Sequence, residues 1–104
     1  MAIKREVNEG LQYQGTDEEI AYDITIPSSW GVPASVTFKA YDITDGARVD
    51  VTATVLSGLG SILGSVITTP LVKALTVDRI YRVESLFPSA GNKFEPYFII
   101  KAEY

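Results

Sequence analysis

The chain has 104 residues, 46% hydrophobic and 21% charged, with a formal net charge of −4. That suits one globular domain, because a chain of this size buries roughly two thirds of its unfolded surface around a single core. It contains no cysteine and no histidine, which excludes disulfides, thiolate metal sites, cysteine nucleophiles, the commonest general base and every Ser-His-Asp arrangement.

Residues 1–16 read as an N-terminal strand or arm. Ala2 to Val7 is a candidate strand, Asn8-Glu9-Gly10 a turn, and Leu11 to Gln14 alternates briefly. Thr16-Asp17-Glu18-Glu19 has the form of a helix capping box, but no helical apolar stripe follows it, so a turn is expected. From there the dominant signal is alternation with a period of two. Ile20, Tyr22, Ile24 and Ile26 share one face, and the Pro/Gly-rich segment from Pro27 to Pro33 ends the run. Val36, Phe38 and Ala40 form the next apolar face, Asp42 to Gly46 a turn, and Val49, Val51, Ala53 and Val55 another face. Ser57-Gly58-Leu59-Gly60-Ser61 reads as an exposed turn, and Ile62 to Thr69 as a strand in which Gly64 marks a bulge. Leu71 to Asp78 fits neither period. Ile80 to Phe87 is a strand, Pro88 to Asn92 a hairpin loop, and Phe94, Phe98, Ile100, Ala102 and Tyr104 line one face of a long final strand. No segment carries helical periodicity, and there is no repeat, linker or low-complexity tract. About seven short strands with regularly spaced turns predict an all-β antiparallel sandwich or small barrel, one domain over residues 1–104.

Val51 to Val72 carries no charge over 22 residues, long enough to span a bilayer. Half of those positions are Ser, Thr, Gly or Pro, which suits strands and turns and speaks against a spanning helix. No membrane partner is expected, and no nucleic-acid partner either, since nothing forms a basic run longer than Lys4-Arg5. The first residues lack the apolar core of a secretory signal. The expectation is a chain made and kept in a cytoplasm, or a form lacking its leader.

Each candidate for chemistry has a simpler explanation. Gly58, Gly60 and Gly64 are misplaced for a dinucleotide fingerprint, which needs glycine at the position of Leu63 and a following helix. Asp42, Asp45 and Asp50 flank a turn without the spacing of a calcium loop. Glu84 and Glu95 lie on either side of the last hairpin, where cross-strand charge pairing explains them better than general acid/base work. Arg79, Arg82 and Lys73 read as a solvated end of the domain. No catalytic residue, metal site or cofactor is expected. Trp30, in its Pro/Gly-rich loop, and the uncharged Leu59, Ile62 and Leu63 are the candidate partner contacts, because exposed aromatic and apolar side chains mark interaction sites.

Leu75-Thr76-Val77-Asp78-Arg79-Ile80-Tyr81-Arg82-Val83 resembles the E–F corner of immunoglobulin-like and fibronectin type III domains. The resemblance implies an immunoglobulin-like sandwich with Leu75, Tyr81 and Val83 at a structural corner, Val83 standing where an antibody domain has its second cysteine. The strand C tryptophan of that family has no counterpart. A second resemblance covers about residues 20–104. The run from Gly64 to Leu75, then Tyr81-Arg82-Val83-Glu84, Phe87, Gly91 and Glu95 to Phe98, is similar to small tailed-phage and prophage proteins. Asp78 stands where such proteins often have glycine. This resemblance implies a cysteine-free virion-associated protein, made without a signal peptide and carried in the particle.

The expected function is therefore non-enzymatic: a structural or assembly module of a phage or prophage particle, whose partners are other protein subunits, copies of itself among them. The alternative is a binding module of a cell-surface or secreted protein, with carbohydrate as one ligand class.

Overall fold

The computed structural model describes residues 6–89 and 91–103. In chain order the strands are β1 (Glu6–Gly15), β2 (Asp23–Thr25), β3 (Thr37–Asp42), β4 (Val49–Asp50), β5 (Leu56–Ser57), β6 (Ser61–Leu63), β7 (Val66–Thr68), β8 (Leu71–Val72), β9 (Ile80–Ser89), β10 (Asn92–Phe94) and β11 (Tyr97–Glu103). A four-residue helix, α1 (Thr52–Val55), and a 3-10 turn at Ser28–Trp30 complete the described elements.

The protein is all-β, with strands divided between a larger sheet and two smaller ones. The larger sheet runs β1-β11-β9-β3-β4, with β10 also paired to β9. The smaller ones are β2-β7-β6 and β5-β8. Alternation along β9 buries Tyr81, Val83, Ser85 and Phe87. Phe98, Ile100 and Ala102 of β11, Ala40 of β3, and Ile24 and Ile67 of β2 and β7 join the same cluster. Tyr22 tilts against Phe98 at 4.9 Å, linking the segment beside β2 to the larger sheet.

The pairing is not purely antiparallel. β1 runs parallel to β11, with Leu11 to Gly15 in register with Ile99 to Glu103. Parallel neighbours need a long connection, and here nearly the whole chain lies between the two. Asn8 to Gly10, expected as a turn, stays inside β1 and takes up a register shift between Glu6 and Leu11. The part of the expected first strand before Glu6, and Tyr104 at the other end, lie outside the described residues.

Three local expectations are corrected. Val49 to Val55 is not one strand: after β4 the chain winds into α1. The apolar spacing misled because Val51 and Val55, four apart, share a face in both a strand and a helix. The backbone turns where the Asp50 carboxylate accepts the Thr52 amide at 2.9 Å, and the Thr52 hydroxyl accepts the Ala40 amide at 3.0 Å. Next, the turn and the bulge exchange places. Gly64 and Ser65 form the two-residue β6–β7 turn, and Gly64 alone of the pair takes a positive φ, +58°, the pattern of a type II′ hairpin. The interruption of the strand sits at residues 58–60. Finally, the last hairpin pairs as far as Ser89 with Asn92, so its loop is two residues rather than five.

A polar side chain closes one end of the core. Gln14, fully buried, donates to the Val72 carbonyl at 2.6 Å and the Glu18 carbonyl at 3.0 Å, and accepts the Tyr22 hydroxyl at 2.7 Å. Burial, and then the Glu18 carboxylate, push the Tyr22 hydroxyl up to about 12. Thr16 and Asp17 form a turn, closed one residue before the capping-box register: the Glu18 carboxylate accepts the Gly15 amide at 2.7 Å.

The Tyr81 hydroxyl accepts the Thr76 amide at 2.9 Å, tying the start of β9 to the irregular segment before it. Tyr81→Phe keeps the ring and removes the acceptor, so it should cost about 1–2 kcal/mol, the usual penalty for a stranded partly buried donor. Chemical denaturation of the two proteins measures this; a difference below about 0.3 kcal/mol would mean that the hydroxyl does not hold the segment.

Candidate functional site

The charge-free stretch forms an edge whose shape depends on one contact. Ser57 pairs with Leu71 and Ser61 with Thr68, so residues 58–60 stand opposite only residues 69–70. This is a bulge in the outer strand. Gly60 lies directly against the Phe38 ring. A Cβ at Gly60 would overlap that ring and come within 2.6 Å of the Thr68 carbonyl oxygen. Gly58 takes a φ of +83°, open to glycine at no steric cost. Between these two glycines, Leu59 is pushed outward and is 96% exposed. Leu63, beside the β6–β7 turn, is 84% exposed.

A groove of about 470 Å³ opens beside the bulge, among Val36 and Phe38, Ala53 of α1, Leu56, Gly58 and Pro70, with Leu59 on its rim. None of its lining residues is charged. Because β6 has β7 on one side only, its other edge is unpaired among the described residues.

Of the four expected contact residues, Leu59 and Leu63 are exposed. Ile62 packs against the core. Trp30 is a correction: it is 5% exposed, stacked on Phe94 at 4.7 Å and 6°, with Phe87 behind it. The 3-10 turn points its ring inward, and two phenylalanines fill the space around it. Leu75 and Val83 are buried beside Tyr81.

Three arginines are paired with carboxylates. Arg79 donates through Nε to Asp42 and through its terminal nitrogen to Asp45, each at 2.9 Å. Burial alone would raise the Asp42 carboxyl, but hydrogen bonds from Arg79 and Thr44 outweigh it and hold it below its ordinary 3.8. Those bonds in turn push the Arg79 guanidinium up. Asp50 is held low by its bond from Thr52. Asp78, where glycine was the common alternative, has a φ of +68°, a left-handed conformation that aspartate tolerates better than most residues. On the outward side of β9, the Glu84 side chain is only 7% exposed. Its carboxylate lies 2.7 Å from Arg82 and 3.3 Å from Arg48. Arg82 covers the Tyr97 ring and Arg48 the Tyr41 ring, at 3.8 and 4.9 Å from the centroids. Glu84 and Glu95 do line one small hollow, of about 130 Å³ with Lys39 on its wall. Two guanidiniums already occupy Glu84. Arg79 and Arg82, expected at a solvated end of the domain, are partly buried and serve different carboxylates. Among the described residues, no group of three or more acidic side chains has the arrangement of a metal site, and no helix is long and apolar enough to cross a membrane.

Sequence reasoning missed Gln14 and Arg48, since neither stands out until distant strands meet. It also missed the Gly60–Phe38 contact, for which two glycines around a leucine were the only signal. No protein-family model, curated protein or solved structure matches the chain.

Gly60→Ala must displace both an aromatic ring and a backbone carbonyl, and should lower stability by about 1–3 kcal/mol, the usual range for an overpacked site. Gly64→Ala is the control for a glycine with open space around it; its loss arises from positive φ alone. If Gly60→Ala were as stable as the parent by thermal unfolding, the close packing would be wrong. The Asp42 shift fixes a sign for acid. A carboxyl lowered in the folded state stabilises above its unfolded value of 3.8 and loses that contribution as pH falls through the lower folded value. Asp42→Asn should therefore cost about 1–2 kcal/mol at neutral pH, after discounting for partial exposure. The gap to the parent should narrow below about pH 4. A gap independent of pH between 2 and 7 in denaturation midpoints would show that the ionised carboxyl contributes nothing.

Proposed function

We propose that the chain is a non-enzymatic assembly module of a tailed-phage or prophage particle, built as an immunoglobulin-like sandwich and acting through contacts with other protein subunits. The observation that carries this reading is the outward-held Leu59 beside a groove with no charged lining residue, with Leu63 also exposed at the end of β6. An isolated soluble domain normally guards a strand edge with lysine, proline or other charge. β6 carries no charged residue of its own and has an unpaired outer edge among the described residues, which leaves this edge suited to contact. The immunoglobulin-like assignment draws support from the sheet order β1-β11-β9-β3-β4 beside β2-β7-β6 and from the Tyr81 bond to the Thr76 amide. The particle assignment draws on the sequence likeness between Gly64 and Phe98. The absence of histidine and cysteine, and a buried glutamate held by two arginines, support a role without chemistry.

Carbohydrate binding at a cell surface is less well supported. Sugars stack on open aromatic faces, and here Arg48 and Arg82 lie over the Tyr41 and Tyr97 rings.

Particles purified from the producing cells on a density gradient should carry the protein at a fixed number of copies, measured by quantitative mass spectrometry. Leu63→Lys should lower that number without unfolding the domain. Absence of the protein from particles, together with retention on a polysaccharide column, would reverse the order of the two readings.

A further inference from the structure

We infer that this edge pairs two copies of the chain across a two-fold axis, with Leu59 of each seated in the groove of the other. The inference rests on the assembly reading and supplies its partner. Three observations converge on a second copy. First, the protruding side chain and the groove are adjacent: Leu59 stands on the rim of the very groove that Val36, Phe38, Ala53 and Pro70 line. A two-fold contact uses one patch on both subunits and must be complementary to itself, which a knob beside a hole satisfies. Second, neither knob nor groove carries a charge. Two copies at −4 each repel wherever their carboxylates meet, and residues 51–72 form the stretch where they approach without one. Third, Gly58 beside Leu59 has nothing within 4 Å of where a side chain would stand, so another backbone can come close on that side.

The exposed patch is small. A stable interface takes about 20–30 residues a side, more than the bulge, the β6–β7 turn and the groove provide, so the pair is weak and forms at high concentration or where a larger assembly holds copies together.

Sedimentation equilibrium of the full chain between roughly 10 µM and 1 mM brackets affinities of that order. The weight-average mass should climb from monomer towards dimer. Leu59→Lys and Ala53→Glu, both at exposed positions, should each remain monomeric over the whole range, with folding checked by circular dichroism. Mixed in equal amounts, the two variants should associate again. In the mixed pair, the lysine of one meets the glutamate of the other, while the second contact is the unaltered one. Leu59→Ser replaces the lysine variant if that proves unfolded, and should weaken association at least tenfold. A monomeric parent at 1 mM, an undiminished Leu59→Lys or Leu59→Ser dimer, or a mixture no more associated than its parts would each overturn the pairing. The assembly reading fails separately. A monomeric parent whose Leu59→Lys form is nonetheless lost from particles would mean that the edge serves a different subunit. A dimer whose disruption leaves particle incorporation unchanged would retain the pairing and reject its role in the particle.

Discussion

β9 must satisfy two environments along ten residues, and the rest of the protein is arranged around that constraint. One set of alternate side chains, from Tyr81 to Phe87, has to be dry; the other set, which includes Arg82 and Glu84, faces away from the core. β3 and β11 hydrogen-bond along its two sides, which places it in the interior of the larger sheet. The outward glutamate is nevertheless buried, because two arginines lie across it and against neighbouring tyrosine rings. Each of these five side chains packs against another. Removing one arginine would leave a poorly solvated carboxylate with half its compensation, a larger loss than that of an exposed ion pair.

The outer strand of the smaller sheets meets a different constraint. Where it passes Phe38 there is no space for a Cβ, so the chain carries glycine at position 60. The strand then has three residues against two across the bulge, and the extra residue must point away from the core. That residue is a leucine. Aromatic packing inside the domain thus determines which apolar side chain lies outside it. The same bulge interrupts the edge, which limits indiscriminate strand pairing, while leaving one protruding group next to one groove.

The faces of the long strands were legible in the residues. The alternation at Ile24 and Ile26, from Tyr81 to Phe87, and from Phe98 to Ala102 names side chains that are buried in the fold. What failed was wherever two structures share a spacing. Val51 and Val55 suit a helix and a strand alike, and only the Asp50 and Thr52 hydrogen bonds decide between them. Gly58, Gly60 and Gly64 announced a turn and a bulge but not which was which, because that depends on the position of Phe38 some twenty residues away. The parallel pairing of β1 left no local trace, since it joins the two ends of the chain. Leu59 and Leu63 were found through the absence of charge around them. Trp30 was misplaced because a Pro/Gly-rich loop need not lie outside; two phenylalanines distant in sequence draw its ring inward.

The central claim is that Leu59 is held outside the core by the packing beneath it and is available for contact. Equilibrium unfolding of Leu59→Lys at low protein concentration, set against Ile62→Lys, tests it most directly. Three residues apart, the two changes are chemically identical and differ in what they disturb. The account predicts that Leu59→Lys stays within about 0.5 kcal/mol of the parent, while Ile62→Lys loses several, because a charge is forced against the core. Equal and large losses at both positions would contradict it, placing Leu59 among the residues that hold the fold together.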